Sequence, residues 1–228
     1  RGFKLNDGVW LFGGSGVVVS ANAYISNHGV IESLGNVQMK TSADVINEGD
    51  IQAEGEVRIS GAQLSQSGQI MANAGVSLNV TGALSNSATI WSSDNVAIGA
   101  TDATNTGKIV ANDTLDMSIS QYLINRGELL ASNNMMLHNN GGEMVRLTNQ
   151  AGVIESKGGM TLRAKIIENL ATYGLSTQYY YPSSSLAELG SRNEDQPNYE
   201  FWNGLYGYHI RSNSKDRKST RLNSSHQI

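Results

Sequence analysis

The sequence predicts an all-β fold, namely a right-handed parallel β-helix (β-solenoid) with coils of about 20 residues, followed by an irregular aromatic-rich C-terminal segment. Two observations predict it. An Asn-x-Gly motif recurs with that period over most of the first 170 residues, and apolar residues alternate with polar ones after each motif. Alternation with a period of two indicates strands with one buried face. Because one unit is too small to bury that face alone, we expect successive units to stack.

The motif opens each coil. An Asn column begins at Asn6 and recurs every 19 to 21 residues, with Gln66 as one substitute and a longer step before Asn149. Gly follows two positions later in most coils, and because Gly, and after it Asn, accepts positive φ, we expect a tight corner there. Stacked Asn side chains can bond to one another and to the turn backbone. We therefore predict a structural corner ladder, with ligand binding by the ladder as the alternative. Its members in the most regular coils are Asn27, Asn47, Asn86, Asn105 and Asn125.

The core is predicted from five columns of residues around each corner. In the unit at 47–59, NEGDIQAEGEVRI, the inward residues are Ile51, Ala53, Val57 and Ile59, and the position two before each Asn is also apolar. Each coil should hold two clear strands and a weaker third. The right-handed sense follows from the usual handedness of parallel crossovers. An antiparallel meander would need turns about every 8–12 residues, and a leucine-rich repeat would need a helical return segment, so neither fits.

Two coils depart from the pattern. In the first coil, Trp10 and Phe12 stand where later coils carry Ile and a small residue, which predicts a wider or distorted coil. The step from Asn125 to Asn149 is lengthened by NNGG at 139–142, which predicts a loop bulging from a corner. Such a loop is either a tolerated insertion or a recognition loop.

One outward column is apolar in four consecutive coils. It lies three residues after the corner Gly and consists of Met71, Trp91, Val110 and Leu130. Because equivalent positions in a solenoid are one coil apart, these side chains should touch and form a stripe. An exposed apolar stripe indicates an interaction surface. The alternative is that a neighbouring segment, such as the C-terminal tail, folds over it.

The period fails after Asn169, which divides the chain into three parts. We expect a solenoid at 1–170, an aromatic-rich cap, linker or start of a following region at 171–215, and a non-native or disordered tail at 216–228. A solenoid end needs covering, whereas exposed Tyr and Trp favour binding. The candidate recognition residues are Tyr179, Tyr180, Tyr181, Phe201, Trp202, Tyr206 and Tyr208.

Composition argues against several classes of function. The chain has no Cys, and its net charge of −4 makes nucleic acid an unexpected partner. No apolar run approaches the roughly 18 residues that span a bilayer. We find no metal, cofactor or catalytic motif, and we interpret His28 as a solvated corner residue. Since the chain starts within the repeats, we expect it to be an internal fragment of a longer protein.

The string NEGDIQAEGEVRI at 47–59 follows the pattern N-x-G-x-I-x-A-x-G-x-V-x-L with Ile59 at the last position, and related strings stand at 27–39 and 105–117. In this pattern the chain resembles the filamentous haemagglutinin and haemolysin-type exoproteins of bacterial two-partner secretion. The resemblance covers about 6–169. It implies a secreted or surface-attached filament of a Gram-negative bacterium. The implied partners are an outer-membrane two-partner secretion transporter, engaged by a part of the protein not present here, and an unidentified receptor on host or neighbouring cells.

Three functions remain open at this stage. The first is the structural shaft of a filamentous adhesin. The second is the presenting rod of a contact-dependent growth inhibition exoprotein, which would carry a toxin at its far end. The third is a polysaccharide-cleaving β-helix enzyme, which needs carboxylates gathered on adjacent coils. Because the outer columns do not supply such carboxylates, we expect no enzymatic activity.

Overall fold

The computed structural model describes residues 1–170 in full and, beyond them, the backbone of three short strands at 178–180, 199–201 and 208–210. All regular elements of the described residues are strands, and those of 1–170 pair with one another in parallel. They form eight complete coils and one further strand, so the predicted β-solenoid is confirmed. The tail at 216–228 lies outside the described residues.

The strands have the following bounds. The first four coils contain β1 (Phe3–Leu5), β2 (Trp10–Gly13), β3 (Gly16–Ala21), β4 (Ile25–Asn27), β5 (Val30–Ser33), β6 (Asn36–Thr41), β7 (Val45–Asn47), β8 (Asp50–Ala53), β9 (Glu56–Gly61), β10 (Leu64–Gln66), β11 (Gln69–Ala72) and β12 (Gly75–Val80). The later strands are β13 (Ala83–Asn86), β14 (Thr89–Ser92), β15 (Val96–Asn105), β16 (Lys108–Ala111), β17 (Leu115–Asn125), β18 (Glu128–Ala131), β19 (Met135–His138), β20 (Met144–Gln150), β21 (Val153–Ser156), β22 (Met160–Leu162), β23 (Ala164–Leu170), β24 (Gln178–Tyr180), β25 (Tyr199–Phe201) and β26 (Tyr208–Ile210).

Each coil has three faces. Face 1 stacks the strands that lead into the Asn corner: β1, β4, β7, β10, β13, the ends of β15 and β17, β20 and β23. Face 2 stacks β2, β5, β8, β11, β14, β16, β18 and β21. Face 3 stacks β3, β6, β9, β12, the beginnings of β15 and β17, β19 and β22. The weaker third strand expected in each coil is therefore a full face, whose regular strands are only three or four residues long before β15.

The core consists of like residues stacked coil on coil. On face 2, β5, β8 and β11 align Ile31 with Ile51 and Ile51 with Ile70, and these three side chains have no exposed surface. Burying one such aliphatic side chain stabilises the fold by roughly 1.5–3 kcal/mol. Because every coil repeats this burial on three faces, the solenoid is held by one continuous core.

A column of small residues precedes the second corner, where face 2 turns into face 3. Ala111 and Ser33 belong to it, and both are buried. The hydroxyl of Ser33 donates to the carbonyl of Gly13 at 3.2 Å and accepts from the amide of Gly35 at 3.0 Å. A small side chain at this position fills the narrow inner corner, and a hydroxyl there also satisfies the backbone of the turn.

The first coil corrects a sequence-based expectation. Strand β2 aligns Leu11 with Ile31, so Leu11 and not Trp10 occupies the Ile column. Trp10 and Phe12 point outward and are 64% and 52% exposed. A shift of one residue exchanges the two faces of a strand. The narrow core accepts Leu and Gly more readily than Trp and Phe. In this coil, core packing therefore decides which residues face inward, and counting from the Asn-x-Gly motif gives the wrong face.

The same offset removes Asn6 from the corner column. Leu5 pairs with Asn27 and is buried, whereas Asn6 is exposed. The corner glycines also differ from expectation, because the described glycines with positive φ are Gly8, Gly75 and Gly141. The corner glycines after Gly8 are needed for close approach between coils: a Cβ on Gly49 would lie 2.0 Å from the carbonyl oxygen of Gly29.

Extra residues accumulate at the third corner, between faces 3 and 1. A register shift between Ala100 and Asp102 marks an irregularity where β15 pairs with β17. The insertion at 139–142 lies at the same corner, between β19 and β20. After β23, the backbone of β24 pairs in antiparallel fashion, with Asn169 opposite Gln178. Parallel stacking therefore does not continue from β23 to β24.

The column of small residues at the second corner leads to a prediction about stability. Replacing Ala111 by Leu should lower the free energy of unfolding by about 1–3 kcal/mol, because the buried site has no room for three more carbon atoms. The matched control is Ala97→Leu, at an exposed position of β15, which should change it by less than about 0.5 kcal/mol. Denaturant unfolding followed by far-UV circular dichroism measures both. Equal effects at the two sites would contradict the prediction.

Candidate functional site

The Asn corner carries a chain of buried side-chain hydrogen bonds. Asn27 Nδ2 donates to Asn47 Oδ1 at 2.8 Å, and the same bond joins Asn105 to Asn125 at 2.8 Å. Each amide also bonds its own turn, as when Asn47 Nδ2 donates to the carbonyl of Gly49 at 3.0 Å. The remaining steps are Asn47–Gln66, Asn86–Asn105, Asn125–Asn149 and Asn149–Asn169. The amides are buried and bonded inside the fold, which favours a structural ladder over a ligand site.

The ladder has one interruption. In the described part of the chain, no side-chain bond joins Gln66 to Asn86; Gln66 Nε2 donates to the carbonyl of Gly68 at 2.9 Å instead. The coil that follows Gln66 is also the one in which Ala88 replaces the corner Gly. At the other end, Asn169 Nδ2 is buried and has no partner among the described residues.

The apolar outward column forms a continuous stripe on face 2. The strand register places Met71 beside Trp91, Trp91 beside Val110, and Val110 beside Leu130. All four side chains are half-buried. Two residues before Val110 and Leu130 on the same strands, a second outward column contains Lys108 and Glu128. Lys108 Nζ and Glu128 Oε2 form an ion pair at 3.0 Å. The stripe is therefore an apolar band with a polar margin.

The insertion at 139–142 is a tight hairpin. Asn139 and Gly142 exchange two backbone hydrogen bonds of 3.1 and 2.6 Å, and the central residues Asn140 and Gly141 have φ of 45° and 78°. Positive φ at both central positions is the geometry of a type I′ turn, for which Asn-Gly is the preferred pair. The loop is thus an ordered β-turn.

Side chains of three successive coils hold this hairpin. His138 Nδ1 accepts from the amide of Gly141 at 2.7 Å, and His138 Nε2 bonds Asp116 Oδ1 at 2.8 Å. Arg163 donates to the carbonyl of Gly141, and Ser118 Oγ accepts from the amide of Asn140 at 2.9 Å. Sequence analysis missed this clamp, although Asp116, Ser118, His138 and Arg163 all occupy outward columns of face 3. Their adjacency follows only from the strand register.

The clamp does not act as a Ser-His-Asp triad. Because Nδ1 of His138 accepts a hydrogen bond from the Gly141 amide, the ring proton of the neutral imidazole lies on Nε2 and points at Asp116. Both ring nitrogens are therefore engaged, and the hydroxyl of Ser118 bonds Asn140 rather than His138. Within the described ranges, no group of three or more His, Cys, Asp or Glu side chains is arranged to hold a metal ion.

The aromatic recognition segment is described only in part. Tyr179 and Tyr180 lie on β24, Phe201 on β25 and Tyr208 on β26. Tyr181, Trp202 and Tyr206 fall outside the described residues.

Several charged side chains at the corners and in the outer columns of the described coils are paired. His28 Nδ1 lies 2.8 Å from Glu48 Oε2, so this corner His bonds the next coil while remaining partly solvated. Arg146 donates to both carboxylate oxygens of the buried Glu168, at 3.0 and 3.1 Å. The hydrogen bond and charge of Glu56 raise the pKa of Arg58 above its ordinary value. These pairs join side chains within a coil or between neighbouring coils.

Comparison with known proteins agrees with this geometry. The profile of the haemagglutinin repeat matches residues 13–88, 50–118, 80–142 and 137–172, which together cover more than half of the chain. The chain belongs to the haemagglutinin repeat family. The matches end close to Asn169, where the Asn column ends. No curated protein and no solved structure gives a significant match.

Membership confirms the resemblance to filamentous haemagglutinin-type proteins. Haemagglutinin repeat proteins are secreted or exposed at the cell surface, and the repeat is a structural unit of adhesins. Across the described parts of the chain, no helix has the length and apolar character needed to cross a membrane.

The hairpin clamp can be tested through one amide. Changing His138 to Ala should speed hydrogen exchange of the Gly141 amide by about tenfold or more, since this amide loses its acceptor and the turn loses its link to Asp116. Met136→Ala is the control, because Met136 also points outward from β19 but has no bond to the hairpin. Exchange measured by NMR distinguishes them. An unaltered Gly141 rate in the His138 variant would show that the clamp does not order the loop.

Proposed function

We propose that this chain is a segment of the structural shaft of a secreted or cell-surface filamentous adhesin of a Gram-negative bacterium, and that it contributes to cell-surface attachment through the stripe. The observation that carries the proposal is the combination of an uninterrupted eight-coil core with an outward apolar stripe. A core of this kind gives mechanical support. The stripe lies outside the core and is not required for the stability of the core, so it is available as a contact surface.

The shaft function rests on the architecture. Eight coils at about 4.8 Å per coil give a rod roughly 40 Å long. Each coil is joined to its neighbours by ladder hydrogen bonds on three faces, so bending the rod would strain all three. Contacts are made only between neighbouring coils, which lets such a rod extend by repetition. In this proposal the outer-membrane transporter of two-partner secretion exports the protein, and it engages a part outside this chain.

The attachment function rests on the stripe. Three coil steps separate Met71 from Leu130, which is about 14 Å. Trp91 is the largest side chain of the stripe, and Trp is among the residues most often dominant in binding interfaces. The receptor would be a surface protein of a host or neighbouring cell that offers an apolar face of similar length.

A second candidate is the presenting rod of a contact-dependent growth inhibition exoprotein. The change from parallel to antiparallel pairing between β23 and β24 favours this candidate. A shaft that is followed by a different domain must end its parallel stacking at some strand. The full reading frame separates the candidates. A toxin domain encoded after this segment, beside a small immunity gene, would select the presenting rod.

The stripe is tested with the double variant Trp91→Ser and Leu130→Ser. We expect an unchanged far-UV spectrum and at least about tenfold weaker self-association or cell binding, because the central aromatic anchor is removed. The control is Tyr122→Ser, at a 46% exposed position on face 1. Light scattering and binding to epithelial and bacterial cells are the measurements. Solution size and binding identical to those of the unaltered chain would refute a role for the stripe.

A further inference from the structure

Face 2 has a second outward surface, at its N-terminal end. Trp10 and Phe12 stand side by side on β2 with ring centroids 6.1 Å apart and planes inclined by 63°. Both rings are more than half exposed. In soluble proteins, exposed aromatic side chains that cluster in this way commonly mark interaction sites.

Two carboxylates lie in the two coils that follow these rings. The register places Glu32 beside Phe12, and it places Asp50 one coil further along the column of Trp10, beyond Val30. Neither carboxylate forms a hydrogen bond or ion pair within the described ranges of the chain. This contrasts with the paired charges elsewhere, such as Glu128 on the same face.

The surrounding charge has one sign. Strands β2, β5 and β8 carry no Lys or Arg, and the adjoining corners add Glu48 and Glu54. The positive side chains of the same coils lie outside face 2: Arg1 precedes β1, Lys4 is on β1 of face 1, and Lys40 and Arg58 are on face 3. Arg58 is engaged by Glu56 at 2.6 Å. Glu48 pairs with His28, and Glu54 accepts from Asn73. A cation brought to this part of face 2 therefore meets the carboxylates of Glu32 and Asp50 without a competing internal partner among the described residues.

The acidic positions lie between two apolar ones. Along one outward column the order is Phe12, Glu32, Gln52 and Met71. Three coil steps separate Phe12 from Met71, or about 14 Å, which an extended peptide of roughly four or five residues spans. An occupant that matches this order has basic residues in the middle and apolar residues at its ends.

We propose that Trp10, Phe12, Glu32 and Asp50 form a docking surface for an extended cationic polypeptide segment of another protein. Lys or Arg side chains of that segment pair with Glu32 and Asp50 and lie against the faces of Trp10 and Phe12, where cation–π attraction adds to the ion pairs. Flanking apolar residues pack on the rings and on Met71. This acidic–aromatic surface shares Met71 with the stripe but does not use Trp91 or Leu130, so it stands even if the Trp91 and Leu130 variant has no effect.

The experiment uses the 228-residue chain and a fluorescent pentapeptide with Leu at each end around Arg-Lys-Arg. Its control peptide has Glu-Gln-Glu in the middle. Fluorescence anisotropy at about 0.05 M and 0.5 M salt should show binding of the cationic peptide only, weakened at high salt because the ion pairs are exposed and screened. Cellohexaose, a neutral oligosaccharide, is the third probe and tests whether the aromatic pair binds glycans instead of a peptide.

Two double variants locate the binding. Glu32→Gln with Asp50→Asn should weaken peptide binding by about three- to tenfold and abolish most of its salt dependence. Trp10→Ser with Phe12→Ser should weaken it by about tenfold. Asp44→Asn, an exposed carboxylate outside face 2, and Val18→Ser, a 72% exposed apolar residue on face 3, are the matched controls and should bind normally.

Three results would overturn the inference. The cationic peptide could fail to bind, it could bind the Glu32 and Asp50 variant as well as the unaltered chain, or cellohexaose could bind in its place. The last result would assign the aromatic pair to neutral glycans. Far-UV spectra of all variants, which should be identical, keep misfolding from imitating a loss of binding.

Discussion

The buried amide ladder at the first corner is the constraint on which the rest of the solenoid depends. Apart from the break between Gln66 and Asn86, each inner rung uses its donor toward the next coil, as Asn105 does toward Asn125, and its acceptor toward the previous one. A buried amide without partners costs about 1–3 kcal/mol. A coil shifted by one residue would leave such groups at every rung, so the ladder penalises alternative registers. The contact between Gly49 and the backbone of Gly29 adds a steric limit at the same corner.

Once the register is fixed, every other column follows. Inside, Ile stacks on Ile and small residues stack on small residues, which closes the core. Outside, the same stacking turns single positions into linear surfaces: the half-buried stripe from Met71 to Leu130, and the acidic–aromatic surface around Glu32 and Asp50. The hairpin at 139–142 uses this alignment too, because Asp116, His138 and Arg163 meet only when three coils are in register. Recognition in this fold can therefore vary column by column without change to the core.

The sequence predicts most of the architecture because the period and the inward columns are local properties that repeat. The predicted solenoid, its coil length and the extent of the repeats agree with the structure and the family match. The first coil could not be predicted by counting from its motif, because core packing selects Leu11 over Trp10. The sequence also did not show why Gly occurs at the corners, because the reason is the close approach of the backbones of neighbouring coils. The His138 clamp joins residues 22 positions apart, and only the register brings them together.

The central claim is that the buried amides, and not Asn residues in general, stabilise the stack. The most direct test compares the free energies of unfolding of Asn105→Ala and Asn112→Ala. Asn105 is buried and bonds both neighbouring rungs, whereas Asn112 is an exposed corner residue. The account predicts a loss of about 2–4 kcal/mol for Asn105→Ala and less than about 0.5 kcal/mol for Asn112→Ala. Losses that agree within about 0.5 kcal/mol would contradict it.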